Sequence, residues 1–206
     1  MSRAGTRDRR PPQKGDQRRS ALLQSLDQHL QESSFESINI ADISRQAGVT
    51  RSAFYFYFEN KATAVAALME ALYDEIFAVS RELTSLEGTP ASRIGTMVSG
   101  LFEATRRHEH LFAAMLEARA TSQAVREMWD ADLLSFVEPL AEMIRAERKA
   151  GRAPDGPDPV ALATMLLELN DRALERLVRG GSLDPDREAE AVTTIWLRTI
   201  YGTVDR

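Results

Sequence analysis

The 206-residue chain contains no cysteine. Disulfides, thiolate metal sites and cysteine nucleophiles are thereby excluded, and the composition fits a reducing cytoplasm. Long hydrophobic runs are also missing. No apolar stretch approaches the ~20 residues that span a bilayer, so no membrane partner is expected. The charged N-terminus is not followed by an apolar core, unlike a secretory signal. Gly-rich phosphate loops, a nucleophile elbow and Cys/His metal spacing are absent. The "HEH" of residues 108 to 110 is not HExxH, and His108 and His110 fall on different faces of a helix. Both are read as surface residues. No cofactor, metal or catalytic residue is expected.

Aromatics are scarce, with 2 Trp, 4 Tyr and 8 Phe. Five of them form one unbroken run, "FYFYF", from Phe54 to Phe58. Charge is also unevenly placed. The net charge is −5, yet residues 1 to 61 hold 10 Lys/Arg against 7 Asp/Glu. Within the first twenty residues Arg3, Arg7, Arg9, Arg10, Lys14, Arg18 and Arg19 face only Asp8 and Asp16. A basic arm on a basic N-terminal unit points to a polyanionic partner, and equally to a solvated tail.

Residues 1 to 16 contain Pro11-Pro12 and no apolar periodicity, and read as a basic disordered arm. From there the chain repeats apolar residues at three and four positions nearly throughout. Helices are expected over a first segment with Leu22, Leu26 and Leu30, over 61 to 86, over 90 to 107 and over 109 to 119. A long helix from Ser122 contains Pro139 and should kink there. The loop "AGRAPDGPDP" ends it, and two further helices span about 158 to 179 and 184 to 203. The expectation is an all-α fold of about nine helices, with no strand and no internal repeat.

The alternation of Phe and Tyr resembles a strand, but its context argues for a helix. Upstream, "NIADISRQAGVT" offers Asn39 as a helix cap and Ile40, Ile43 and Ala47 on an inner face. Gly48 suits a left-handed stop, Val49 plugs the angle, and Thr50 caps a second helix from 51 to 58. This is helix-turn-helix spacing. At about 100° per residue, Phe54 and Phe58 share one face and should pack inward. Phe56 points nearly opposite, flanked by Tyr55 and Tyr57. Tyr hydroxyls reach phosphates, Phe56 can meet a thymine methyl, and Arg51 a phosphate or guanine edge.

The segment "ADISRQAGVTRSAFYFYFENK" resembles the DNA-binding signature of the TetR family of bacterial transcriptional repressors. The match is close from Gly48 to Lys61. Ser34 and Ser44 are small departures, standing where that family often has Gly and Ala. The resemblance implies DNA contacts from Asn39, Thr50, Arg51, Ser52, Tyr55, Phe56, Tyr57 and Lys61. It implies a DNA-binding domain over 17 to 66, and a ligand-binding and dimerisation domain over 67 to 206. Further segments, "EARATSQAVREMW", "IRAERKAGRAP", "LNDRAL" and "IWLRTIYG", resemble the subgroup of the mycobacterial ethionamide-resistance repressor. That likeness implies a homodimer through the last two helices and a long, mostly apolar pocket for a small effector.

The ligand-binding residues expected on this basis are Leu101, Trp129, Leu133, Phe136, Leu140, Leu167, Asn170 and Trp196. Asn170 interrupts an apolar helical stripe, so its amide anchors a ligand or makes an interhelical bond. Pro139, Leu167 and Glu175 stand where the subgroup tends to have other lining, which points to a different ligand. The expected function is a cytoplasmic, ligand-responsive repressor of double-stranded operator DNA. Two alternatives remain. One is an architectural DNA binder that senses nothing. The other is a small helical enzyme built on Glu168, Asp171 and Glu175, although Arg172, Arg176 and Arg179 balance those carboxylates at helical spacing.

Overall fold

A computed structural model of the chain describes residues 14–70, 72, 88–181 and 183–202. The expected arm at 1 to 13, most of the helix expected beyond residue 70, and the last four residues lie outside the described residues. Among the described residues every regular element is helical. In chain order they are α1 (Lys14–Glu32), α2 (Ile40–Gln46), α3 (Arg51–Tyr57), α4 (61–70), α5 (Pro90–Arg107) and α6 (Glu109–Thr121). There follow α7 (Gln123–Ser135), α8 (Val137–Lys149), α9 (Pro159–Val178) and α10 (Pro185–Tyr201). Residues 14 to 16, expected in the arm, already belong to the first helix.

Helix starts follow from local chemistry. Thr89, Asp158 and Asp184 each precede a proline at the first helical position, where a missing N–H costs nothing. Their side chains accept backbone N–H groups of the first turn, from Ser92, Ala161 and Arg187. The helix expected from Ser122 onward is not kinked but broken. Pro139 has no N–H to donate to Ser135. The chain leaves the helix at Phe136, whose N–H turns tightly back to the Leu133 carbonyl, and restarts as α8.

Apolar side chains collect in two cores. One buries Leu22 and Leu26 of α1, Ile43 of α2, Phe54 of α3 and Val65 and Met69 of α4. Leu111, Phe112 and Met115 of α6 belong to the same core. The other joins α5, α8, α9 and α10 around Ile94, Ile144, Ala163, Trp196 and Ile200. Truncating a buried Leu or Ile to Ala in such cores costs about 2–5 kcal/mol. The boundary expected at residue 66 therefore does not separate two independent cores, because α6 completes the first.

Candidate DNA interface and ligand cavity

The N-terminal unit presents α3 outward. Asn39 caps α2 by accepting the Ala41 N–H at 2.9 Å. The sharp stop after α2 needs a positive φ at Gly48, at +67°, which a side chain would strain. Thr50 then caps α3 by accepting the Ala53 N–H at 3.3 Å, and its hydroxyl lies 2.9 Å from that of Ser52. Ser25 ties α1 to α2 through a buried bond to the Ile43 carbonyl. Ser44, buried, turns its hydroxyl back to the Ile40 carbonyl at 2.8 Å.

The aromatic run divides by face. Phe54 and Phe58 are buried, with ring centroids 5.5 Å apart. Phe56 is 81% exposed and Tyr55 46%. Arg51 reaches along the helix to the Tyr55 hydroxyl at 3.3 Å, which holds both side chains on the outer face. Tyr57 is half-buried against the core. Its hydroxyl reaches the first turn of α1, 3.7 Å from where a Cβ on Gly15 would stand.

Lys61 is placed differently from the other residues of the expected interface. Its ammonium donates to the carbonyls of Ile38 at 2.7 Å and Glu36 at 3.2 Å, and to that of Phe35. It also stands over the Phe35 ring. All three donors are used on the turn between α1 and α2, so none is left for a phosphate. Burial lowers its pKa, against the opposing pull of Glu117 and Glu36. In this structure Lys61, expected at the DNA, fastens that turn instead of lying on the outer face of α3.

The second unit encloses a cavity of about 150 Å³. Its walls come from Leu101 of α5, Trp129 and Leu133 of α7, Phe136 between helices, Leu140 of α8, Leu167 and Asn170 of α9, and Trp196 of α10. All eight residues named from the sequence thus meet around one space. That volume has room for about one ring, less than the long pocket that the resemblance implied. Asn170 is buried, and its amide oxygen accepts the Trp196 indole N–H at 3.0 Å. The interhelical bond is therefore real, and the amide also lines the cavity.

Two carboxylates of the wall are held from outside. Asp171 accepts the Trp129 indole N–H at 3.1 Å and pairs with Arg119. Glu175 binds Arg172 at 2.7 Å and Arg179 at 2.9 Å. Burial alone would raise the Glu175 pKa, but these guanidinium bonds outweigh it and hold the pKa low. A carboxylate kept ionised and bound by two arginines is a poor general acid.

Comparison with known proteins settles the family. Residues 24–68 match the model of bacterial regulatory proteins of the TetR family, and residues 94–202 match the C-terminal domain of the transcriptional regulator EthR. The chain belongs to the TetR family, in the EthR group. Two similar relatives are the HTH-type transcriptional regulators EthR of Mycolicibacterium smegmatis and of Mycobacterium tuberculosis. They are 29% and 30% identical over 97% and 96% of this chain, and in each case over 93% of the relative. Among solved structures, a complex of SmeT with triclosan has a TM-score of 0.68 at 23% identity, over 92% of this chain and 97% of that one. The regulator FadR of Bacillus subtilis with stearoyl-CoA has a TM-score of 0.68 at 17% identity, over 88% and 99%.

This TetR-family chain is a transcriptional regulator and not an enzyme. No helix among its described residues is long and apolar enough to cross a membrane. Sequence reasoning missed Phe112 and Leu116 of α6, which also line the cavity, along with Met97, Asp132, Leu174 and Val178. Phe112 and Leu116 are apolar in the sequence, but nothing there says that one helix serves a core and a cavity together. His110, read as a surface residue, bridges α6 to α1 through Asp27 at 2.9 Å. Glu117 also receives the Glu36 N–H at 3.2 Å, so α6 holds the DNA-binding unit at two points.

Proposed function

We propose that this chain is a homodimeric repressor released from its operator by a small, mostly apolar effector in the cytoplasm. Each subunit lays α3 in a major groove, at half-sites ~34–36 Å apart. Arg51, Ser52, Thr50, Tyr55 and Tyr57 reach phosphates or base edges, Phe56 meets a base, and Asn39 holds the start of α2. The effector occupies the space between Trp129, Leu140 and Asn170.

One observation carries the coupling: Phe112 and Trp129 line the cavity and also pack in the core that holds α3. A ligand larger than the present space must push its walls apart. That displacement enters the DNA-binding core through α6 and α4, and changes the separation of the two recognition helices. The ligand acts only through unequal affinity for the two arrangements. The structural relatives SmeT, in complex with triclosan, and FadR, in complex with stearoyl-CoA, support an apolar occupant.

The test begins with chromosomal fragments captured by the purified protein. Tyr55→Phe and Tyr57→Phe should weaken binding to every fragment, and Phe56→Ala should relax preference at one base step. Undiminished binding by all three variants would sink the docking. An apolar compound that raises the melting temperature yet leaves operator affinity unchanged would sink the switch.

A further inference from the structure

The cavity wall carries one charge that its surroundings do not neutralise. Asp132 of α7 lines the space and is half-buried. Asp171 and Glu175, the other carboxylates of the wall, are bound by Arg119, Arg172 and Arg179. The Asp132 carboxylate meets no cation and no hydrogen-bond donor among the described residues. Trp129 lies one turn before it on α7 and Phe136 just past the end of that helix, and both line the cavity. An unpaired carboxylate on the wall of a mostly apolar space that two aromatic rings also line is a receptor for an organic cation.

We propose that the effector of this regulator is an amphipathic amine. Its protonated nitrogen pairs with Asp132 between Trp129 and Phe136, and its apolar body lies against Leu133, Leu140 and Leu167. The inference rests on the cavity being the effector site. A carboxylate-headed ligand of the same shape would meet a like charge and bind less well. A neutral one would leave Asp132 partly desolvated and unpaired, which also costs affinity.

Both tryptophans of the chain, Trp129 and Trp196, line the cavity, so intrinsic fluorescence reports its occupancy. Phenylbutylamine, phenylbutanol and phenylbutanoate share one skeleton and differ in charge. Titrated into the full chain at neutral pH, the amine should bind about tenfold more tightly than the alcohol, and the carboxylate more weakly than either. In Asp132→Asn the advantage of the amine should fall to about twofold or less, with the alcohol bound at least as tightly as before. Raising salt should shrink the advantage in the unaltered protein, a readout that needs no variant. Equal binding of amine and alcohol overturns the cation proposal and leaves the cavity as an effector site. So does an advantage that survives in Asp132→Asn. If none of the three changes the fluorescence or the melting temperature, the effector site itself is overturned, and the proposal with it.

Discussion

A phenylalanine that keeps 81% of its surface in water adds almost nothing to stability, so Phe56 is open to a test that separates folding from recognition. Phe56→Ala should leave the unfolding free energy within about 0.5 kcal/mol, as surface changes do. It should cost about 1–3 kcal/mol of discrimination at the contacted base pair, read by binding to operator variants. Lys61 makes the opposite case. Its ammonium fastens the carbonyls of Ile38, Glu36 and Phe35. Lys61→Ala should lower stability by about 1–3 kcal/mol, measured by urea unfolding. The slope of operator affinity against salt should stay unchanged. A lysine that neutralised a phosphate would, on removal, reduce that slope by about 1. Such a reduction would restore the DNA contact that the family pattern implied. The sequence pattern places Lys61 correctly along the chain, but no spacing rule says whether an ammonium points at DNA or at its own backbone.

Elements were legible where periodicity and caps agree. Thr89-Pro90, Asp158-Pro159 and Asp184-Pro185 mark three helix starts in letters alone. The faces of α3 followed from a four-residue repeat, whereas the wall residues of α7, α9 and α10 were named from the family resemblance. Pro139 was visible as an irregularity, but whether a proline bends or breaks a helix depends on what packs beside it. Least legible was the pairing that locks α8. Glu147 is fully buried, and it takes bonds from Arg152 at 2.9 Å and from Arg93 of α5 at 3.2 Å. Its partners lie 54 residues before it and 5 after it, so no local pattern joins them. The Arg152 bond, with help from Arg93 and against burial, holds the Glu147 carboxyl below the ordinary carboxylate range. Its stabilisation is therefore complete above the unfolded value near 4.3, and is lost as pH falls through the lower folded value. Glu147→Gln should cost about 3 kcal/mol at pH 7. The gap between variant and unaltered protein should close on acidification below about pH 4. Denaturant midpoints across that range check it, and a gap independent of pH would remove the ionised carboxylate from the account. At the alkaline end, burial and then the charge of Glu147 push the Tyr201 hydroxyl up to about 12. The folded protein keeps that phenol neutral, so its contribution is intact below about pH 10 and fades as pH rises toward the folded value.

At the scale of the molecule, the proposed dimer has each subunit read half of an operator, with α9 and α10 as its proposed seam. Met165 is 57% exposed, Ile195 43% and Val160 37%, all on the outer side of these two helices. Ala161 lies four residues before Met165, and Ala191 four before Ile195, so each large side chain has an exposed small one a turn away. That pattern lets a second pair of helices approach closely, as a two-fold axis requires. A two-fold axis also doubles every substitution near it. Met165→Arg and Ile195→Arg should each place two charges where apolar surface is due to be covered. Light scattering should find the mass of a single chain in each variant. The helical content and melting of the isolated subunit should persist, because both side chains lie outside its cores. Operator affinity should fall on the order of a hundredfold, since the second α3 is no longer delivered at the effective concentration a dimer provides. Binding to a fragment with one half-site should hardly change, which separates lost dimerisation from a damaged α3. If both variants keep the dimer mass, the interface lies on another face, and the distance between recognition helices is set there instead.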